Sequence, residues 1–151
     1  MILNDVLTKQ NVLTKLILVN GEKELSKELK IKVMRIRMAY NKLKKSFDEE
    51  VKEFTEELLS DEFKELSNKQ DKSPEEEAKL QELTAKFNSE YIEFVTQKGN
   101  ETINDDLNDS FTVDEYSDIL DVNANNDVEI NGNKIKATDF LEIFYELFIK
   151  E

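Results

Sequence analysis

Apolar positions between residues 24 and 59 recur every three or four residues: Leu29, Val33, Ile36, Tyr40, Leu43, Phe47, Val51, Phe54 and Leu58. That spacing lays a single seam along one long helix. A helix from 27 to 59 would be on the order of 50 Å long. The steps alternate four and three except from 43 to 47 to 51, where two four-residue steps follow each other. Such an insertion locally unwinds a coiled coil. A second seam runs through Leu80, Leu83, Phe87, Tyr91, Phe94 and Val95 and stops at Gly99. Its start is marked by Ser73-Pro74-Glu75-Glu76: a capping serine, a proline at the first helical position and a glutamate completing a capping box. Between the seams, Ser60-Asp61 opens a short helical piece carrying Phe63 and Leu66, and the polar residues 68–72 form a bend. Two long amphipathic helices with a short polar connection predict an antiparallel helical hairpin.

The flanking segments are read in the same way. Val6, Leu7, Val12, Leu13, Leu16, Ile17 and Val19 predict an N-terminal helix over 5–19, stopped by Asn20-Gly21. The apolar set Phe111, Val113, Tyr116, Ile119, Leu120 and Val122 fits either a short helix or a strand. Val128-Glu129-Ile130, Asn131-Gly132 and 133–136 predict a β-hairpin, because Asn-Gly is the preferred type I′ turn. Thr138 is expected to cap a last helix carrying Phe140, Leu141, Ile143, Phe144, Leu147, Phe148 and Ile149, apolar on most of its surface. Such a helix is either the centre of the core or the seat of a partner. The fold expected is mainly α: a long antiparallel helical hairpin with an N-terminal helix, a small β-hairpin and an apolar C-terminal helix. A single domain over 1–151 is expected, the hairpin part in 1–99 and the rest in 100–151.

Composition narrows the function classes. Of 151 residues 38% are hydrophobic and 36% charged, with three Gly and one Pro, which suits amphipathic helices with narrow apolar stripes. No cysteine or histidine occurs, removing thiolate chemistry, disulfides, the commonest general base and the commonest neutral-pH metal ligand. The longest apolar run, residues 16–19, is far too short for a membrane span, and the N-terminus shows no signal peptide, so no membrane association is expected. The net charge of −13 disfavours direct nucleic-acid binding. Acid pairs such as Asp105-Asp106 carry no weight as catalytic carboxylates in a chain with 34 acids. No nucleophile, base and stabiliser converge on a site, and no phosphate-cradling loop is present, so neither enzyme activity nor a cofactor is expected.

One loop resembles a metal site. Asp121, Asn123, Asn125 and Asp127 fall at positions one, three, five and seven of an EF-hand-like loop. Asn126 stands where the turn glycine belongs, and Gly132 where a bidentate glutamate is required, which removes two oxygens from the coordination shell. The reading taken is an Asn/Asp-rich loop leading into the hairpin.

Charge along the long helix is divided. Residues 27–45 hold eight bases and one acid, and residues 48–62 hold eight acids and one base. That order opposes the helix macrodipole, so local helix stability does not explain it. Lys30, Arg37 and Lys44 repeat every seven residues, and Glu49, Glu53 and Glu56 follow with opposite sign. These six are the candidate partner-binding residues. If two copies associate through this helix, an antiparallel pairing that weakens at high salt is expected, because a parallel one opposes like charges. The competing arrangement folds the acidic, base-free segment 99–133 back onto the basic half of the same chain.

The order of features as a whole resembles a family of small tailed-phage proteins encoded among virion and tail genes. The resemblance rests on residues 11–18, then Glu28-Leu29-Lys30-Ile31-Lys32-Val33, then Tyr40-Asn41-Lys42-Leu43-Lys44-Lys45, and finally Lys136-Ala137-Thr138-Asp139-Phe140-Leu141. In that family a proline usually opens the long helix after the Glu-Leu pair, where Lys30 stands here, and the counterpart of 99–122 is less acidic. The family carries no established activity. The resemblance implies a phage origin and a part in virion assembly or infection. The reading expected is a non-enzymatic phage protein in virion or tail assembly, located in the host cytoplasm during infection or in the virion, with itself or a virion subunit as partner. The alternative is an acidic inhibitor that masks a basic surface of a host defence or nucleic-acid-binding enzyme.

Overall fold

Hydroxyl caps set the start of four helices. Ser26, Ser60, Ser73 and Thr112 each accept the backbone N–H three residues ahead, from Leu29, Phe63, Glu76 and Glu115, at 3.1–3.2 Å. Each bond satisfies one of the N–H groups a helix start leaves unpaired. Glu76 and Glu115 return the bond to the cap residue's own N–H, closing two capping boxes. The computed structural model describes residues 1–104 and 106–150. Its elements are α1 (Leu3–Thr14), β1 (Val19–Asn20), β2 (Lys23–Glu24), α2 (Lys27–Leu58), α3 (Asp61–Asn68), α4 (Pro74–Gly99), α5 (Val113–Asn123), β3 (Val128–Ile130), β4 (Asn133–Ile135) and α6 (Ala137–Phe148). Helix makes up 68% of the structure, and the expected hairpin of long helices, β-hairpin and C-terminal helix are all present.

The seam on α2 serves two different bodies. Leu29, Val33, Ile36 and Tyr40 are 0–4% exposed and lie in one core with Val6 and Leu13 of α1, Ile119 of α5, and Phe140, Phe144 and Phe148 of α6. Each such side chain contributes about 1.5–3 kcal/mol by leaving water. From residue 41 to residue 98 no residue is buried. There α2, α3 and α4 form a stalk in which a single apolar face of each helix meets its neighbour. Phe54 stacks on Phe94 with ring centroids 4.1 Å apart, Phe63 meets Phe87 edge-on at 5.8 Å, and Lys98 pairs with Glu50 at 2.5 Å. The doubled four-residue step at 43–47–51 falls where α2 leaves the head for the stalk. The seam changes partner there, from the core to α4.

The head contains one supersecondary unit twice. In both α1–β1–β2–α2 and α5–β3–β4–α6, a helix, a four-residue connection, an antiparallel hairpin with a two-residue loop and a second helix follow in order. In the second hairpin Asn131 and Gly132 both take positive φ, +52° and +80°, as the type I′ turn expected there requires. In the first, of Gly21 and Glu22 only Gly21 does, at +64°.

Three expectations are corrected. α1 ends at Thr14, not at residue 19, and the apolar run that follows is not helical, entering β1 at Val19. Asn20-Gly21 is part of a hairpin rather than a helix stop. Asn123 holds this non-helical run by taking both the N–H and the C=O of Ile17, at 3.0 and 3.1 Å. Thr138 does not cap the last helix. α6 starts at Ala137, whose N–H is accepted by Asp127 Oδ1 at 2.9 Å from the far side of the hairpin. The segment 111–122, open between helix and strand, is the helix α5. The apolar α6 is the centre of the core, with Ala137, Phe140, Leu141, Phe144 and Phe148 buried.

Candidate functional site

The basic row on α2 is engaged within the chain. Lys30 pairs with Glu24 at 2.6 Å, and Lys44 pairs with Asp48 one turn ahead at 2.6 Å. Arg37 is half-buried. Its guanidinium donates to the Leu13 carbonyl at 3.0 and 3.2 Å and also to the Leu16 carbonyl, so it caps the C-terminal end of α1. Burial holds its pKa below the ordinary arginine value. Glu49, Glu53 and Glu56 are exposed, and among the described residues none has an ion-pair partner. At about 100° per residue, these three glutamates lie about 80–180° round the helix from Lys30, Arg37 and Lys44. The six candidates therefore do not form one continuous face.

The acidic segment meets the basic part of the chain at four places. Lys9 binds Asp109 at 3.1 Å, Lys23 binds Asp121 at 3.1 Å, and Lys32 binds Glu115 at 2.8 Å. Arg35 donates to the carbonyls of Leu107 and Asn108 at 3.1 and 2.9 Å. Asp109 also accepts the Tyr40 hydroxyl. Burial alone would raise the Asp109 pKa, but the bonds from Tyr40 and Lys9 outweigh it, and the carboxyl titrates below its ordinary value. Glu115 behaves likewise: burial opposes, while Lys32 and the Thr112 backbone lower it. Burial and the neighbouring Asp109 push the Tyr40 hydroxyl well above the usual tyrosine range.

The EF-hand-like residues are spread over separate structural duties. Asp121 points to Lys23. Asn123 is fully buried, its amide bonded to the carbonyls of Ile17 and Ile119 and its oxygen to Ile17 and Asn126. Asn125 is exposed, and Asp127 starts α6. Among the described residues no group of three or more Asp or Glu side chains is placed to hold a metal ion. Asp105, half of the acid pair considered above, lies outside the described residues.

Two surface features escaped the sequence reading. Ile31, Met34 and Met38 are 57%, 53% and 71% exposed, on the side of α2 opposite its buried seam. Their spacing is itself helical, but the stronger core seam on the same helix masks it. On α5, Val113 and Leu120 are 52% and 42% exposed. Between α5 and α6 lies an open groove of about 390 Å³ walled by Tyr116, Leu120, Leu141 and Tyr145. Isolated apolar residues are normal on a surface, but aligned ones mark contact sites.

Compared with models of protein families, with curated proteins and with solved structures, the chain matches none. Among the described residues no helix is long and apolar enough to cross a membrane.

Proposed function

We propose that the protein is a non-enzymatic phage protein that acts through protein–protein contacts in virion or tail assembly. The observation that supports this reading best is the exposed line Ile31, Met34 and Met38 on a helix whose other face is fully committed to the core. Three large apolar side chains held in line on a rigid element are the arrangement a partner surface uses, and the position adds nothing to the fold itself. The order of features resembling phage virion and tail proteins supplies the setting.

The alternative, an acidic inhibitor of a host enzyme, draws on the stalk, where residues 46–96 carry sixteen acids against six lysines. It draws less on segment 99–133, where Asp109, Glu115 and Asp121 are already paired with the chain's own lysines. Mass spectrometry of purified virions tests the choice. A fixed copy number per particle is expected for an assembly protein. Absence from particles, with expression confined to early infection, would replace this reading with the inhibitor.

A further inference from the structure

The two exposed apolar lines have the same spacing and opposite surroundings. On α2, Ile31, Met34 and Met38 stand at i, i+3 and i+7. On α5, Val113, Tyr116 and Leu120 stand at i, i+3 and i+7, and the last two also wall the α5–α6 groove. Around the first line lie Lys27, Lys42 and Lys45, exposed and, among the described residues, without an ion-pair partner. At about 100° per residue these lysines fall on the same face as the apolar three. On α5, residues 113–123 hold four acids and no base. Of these, Asp114 and Asp118 are exposed and unpaired among the described residues, as is Glu142 on the groove wall. The thioether side chains of Met34 and Met38 also suit a groove walled by two tyrosine rings, since sulfur–aromatic contact is favourable and methionine adapts to an irregular surface.

Within one chain these lines do not meet: Ile31, Met34, Met38, Val113 and Leu120 remain more than two-fifths exposed, and Tyr116 is partly buried against the core. We infer that they meet between copies: the Ile31–Met34–Met38 line of one molecule seats on the α5–α6 groove of a second copy, basic rim against acidic rim. This names the partner for the assembly reading above and rests on it for its biological setting alone. The contact joins different surfaces of the two molecules, so each copy keeps one free donor line and one free acceptor groove. It therefore repeats, closing into a ring or extending as a filament according to the rotation per step. A contact of this size sits at the weak end of specific interfaces. Salt weakens it, because its charged rim is exposed.

The test uses the full chain in analytical ultracentrifugation over a concentration series at low and high salt. Association that rises with concentration and falls with salt is expected of the parent protein. Met38→Asp and Leu120→Lys each change an exposed position, so both variants stay folded, which circular dichroism checks, and each abolishes association alone. Mixed, they form a one-to-one pair and nothing larger, because one retains the groove and the other the apolar line. Ile92→Asp, at an exposed stalk position, leaves association unchanged. A parent that is monomeric up to its solubility limit would overturn the inference. So would a Leu120→Lys variant that still associates, which would indicate pairing of α2 with α2. Self-association by a protein absent from virions would instead defeat the virion reading and leave this contact standing.

Discussion

The Tyr40 hydroxyl donates its hydrogen to the Asp109 carboxylate across 69 positions of chain, in the interior of the head. Lys9 approaches the same carboxylate oxygen from α1, so three distant segments are held at one charged atom. Removing one donor is milder than removing the shared acceptor. Tyr40→Phe should destabilise the fold by about 1–2 kcal/mol, since Asp109 keeps Lys9. Asp109→Ala strands both a buried hydroxyl and a largely covered ammonium and should cost about 2–4 kcal/mol. Urea titration of the two variants against the parent measures the difference.

The same carboxylate makes stability depend on acid. Asp109 and Glu115 have folded-state pKa values below their ordinary ones, so unfolding raises their proton affinity. Their contribution is fully present above the unfolded carboxylate range, roughly pH 4, and is lost as pH falls through the lower folded values. The melting temperature is expected to fall below that range, and to fall less steeply in Asp109→Asn, which has no charge to lose there.

Arg37 and Lys44 belong to one seven-residue row but should respond very differently to reversal. Arg37→Glu leaves the Leu13 and Leu16 carbonyls without their donor and places an anion beside the C-terminal end of α1. A loss on the order of 2–3 kcal/mol is expected. Lys44→Glu breaks only an exposed pair with Asp48 and should cost at most about 0.5 kcal/mol. Thermal denaturation of the two single variants separates a fold-holding arginine from a surface lysine.

Asn123 should tolerate no replacement. Its side chain supplies Ile17 with the partners a neighbouring strand would otherwise provide. Asn123→Ala orphans those groups and leaves a small void, for an expected loss of about 2–3 kcal/mol. Aspartate is no better, because it cannot donate to the Ile17 and Ile119 carbonyls. Amide exchange at Ile17 should accelerate before global unfolding does.

Hydrogen exchange should also divide the molecule. Amides between 46 and 96 rest on a half-exposed seam and should exchange faster than those of α6 or the first half of α2, which border the closed core. Equal protection in both regions would show that a partner covers the stalk.

What the sequence made legible follows from local rules with few competitors. The seam, the Ser73–Glu76 capping box and the Asn131-Gly132 turn each depend on residues within a few positions, and each is found as expected. Thr112 and Glu115 form an equally good capping box, and that signal would have settled α5 as a helix. The non-helical course of 16–19 was not legible, because its partner is the amide of Asn123, 106 positions away. The duplication of helix, hairpin and helix was hidden for a related reason. Backbone geometry repeats while side chains do not, so Ser26 caps one second helix and Asp127 reaches over to start the other. For the candidate site, periodicity placed the α2 charges in rows. It could not show that Arg37 turns inward to α1 or that Glu115 turns towards Lys32.

The stalk also bears on the route by which the chain folds. Its contacts are close in sequence at the tip, where Phe63 meets Phe87, and extend outward to Glu50 and Lys98. Such a hairpin can zip from its bend without waiting for the head. Once closed, it takes most of the 69 positions between Tyr40 and Asp109 out of the search. Closing a loop of roughly twenty free residues instead of the full span lowers the entropic barrier by about 1 kcal/mol. Stalk substitutions that weaken the seam, Phe54→Ala among them, should therefore slow refolding of the distant core as well as loosen the stalk.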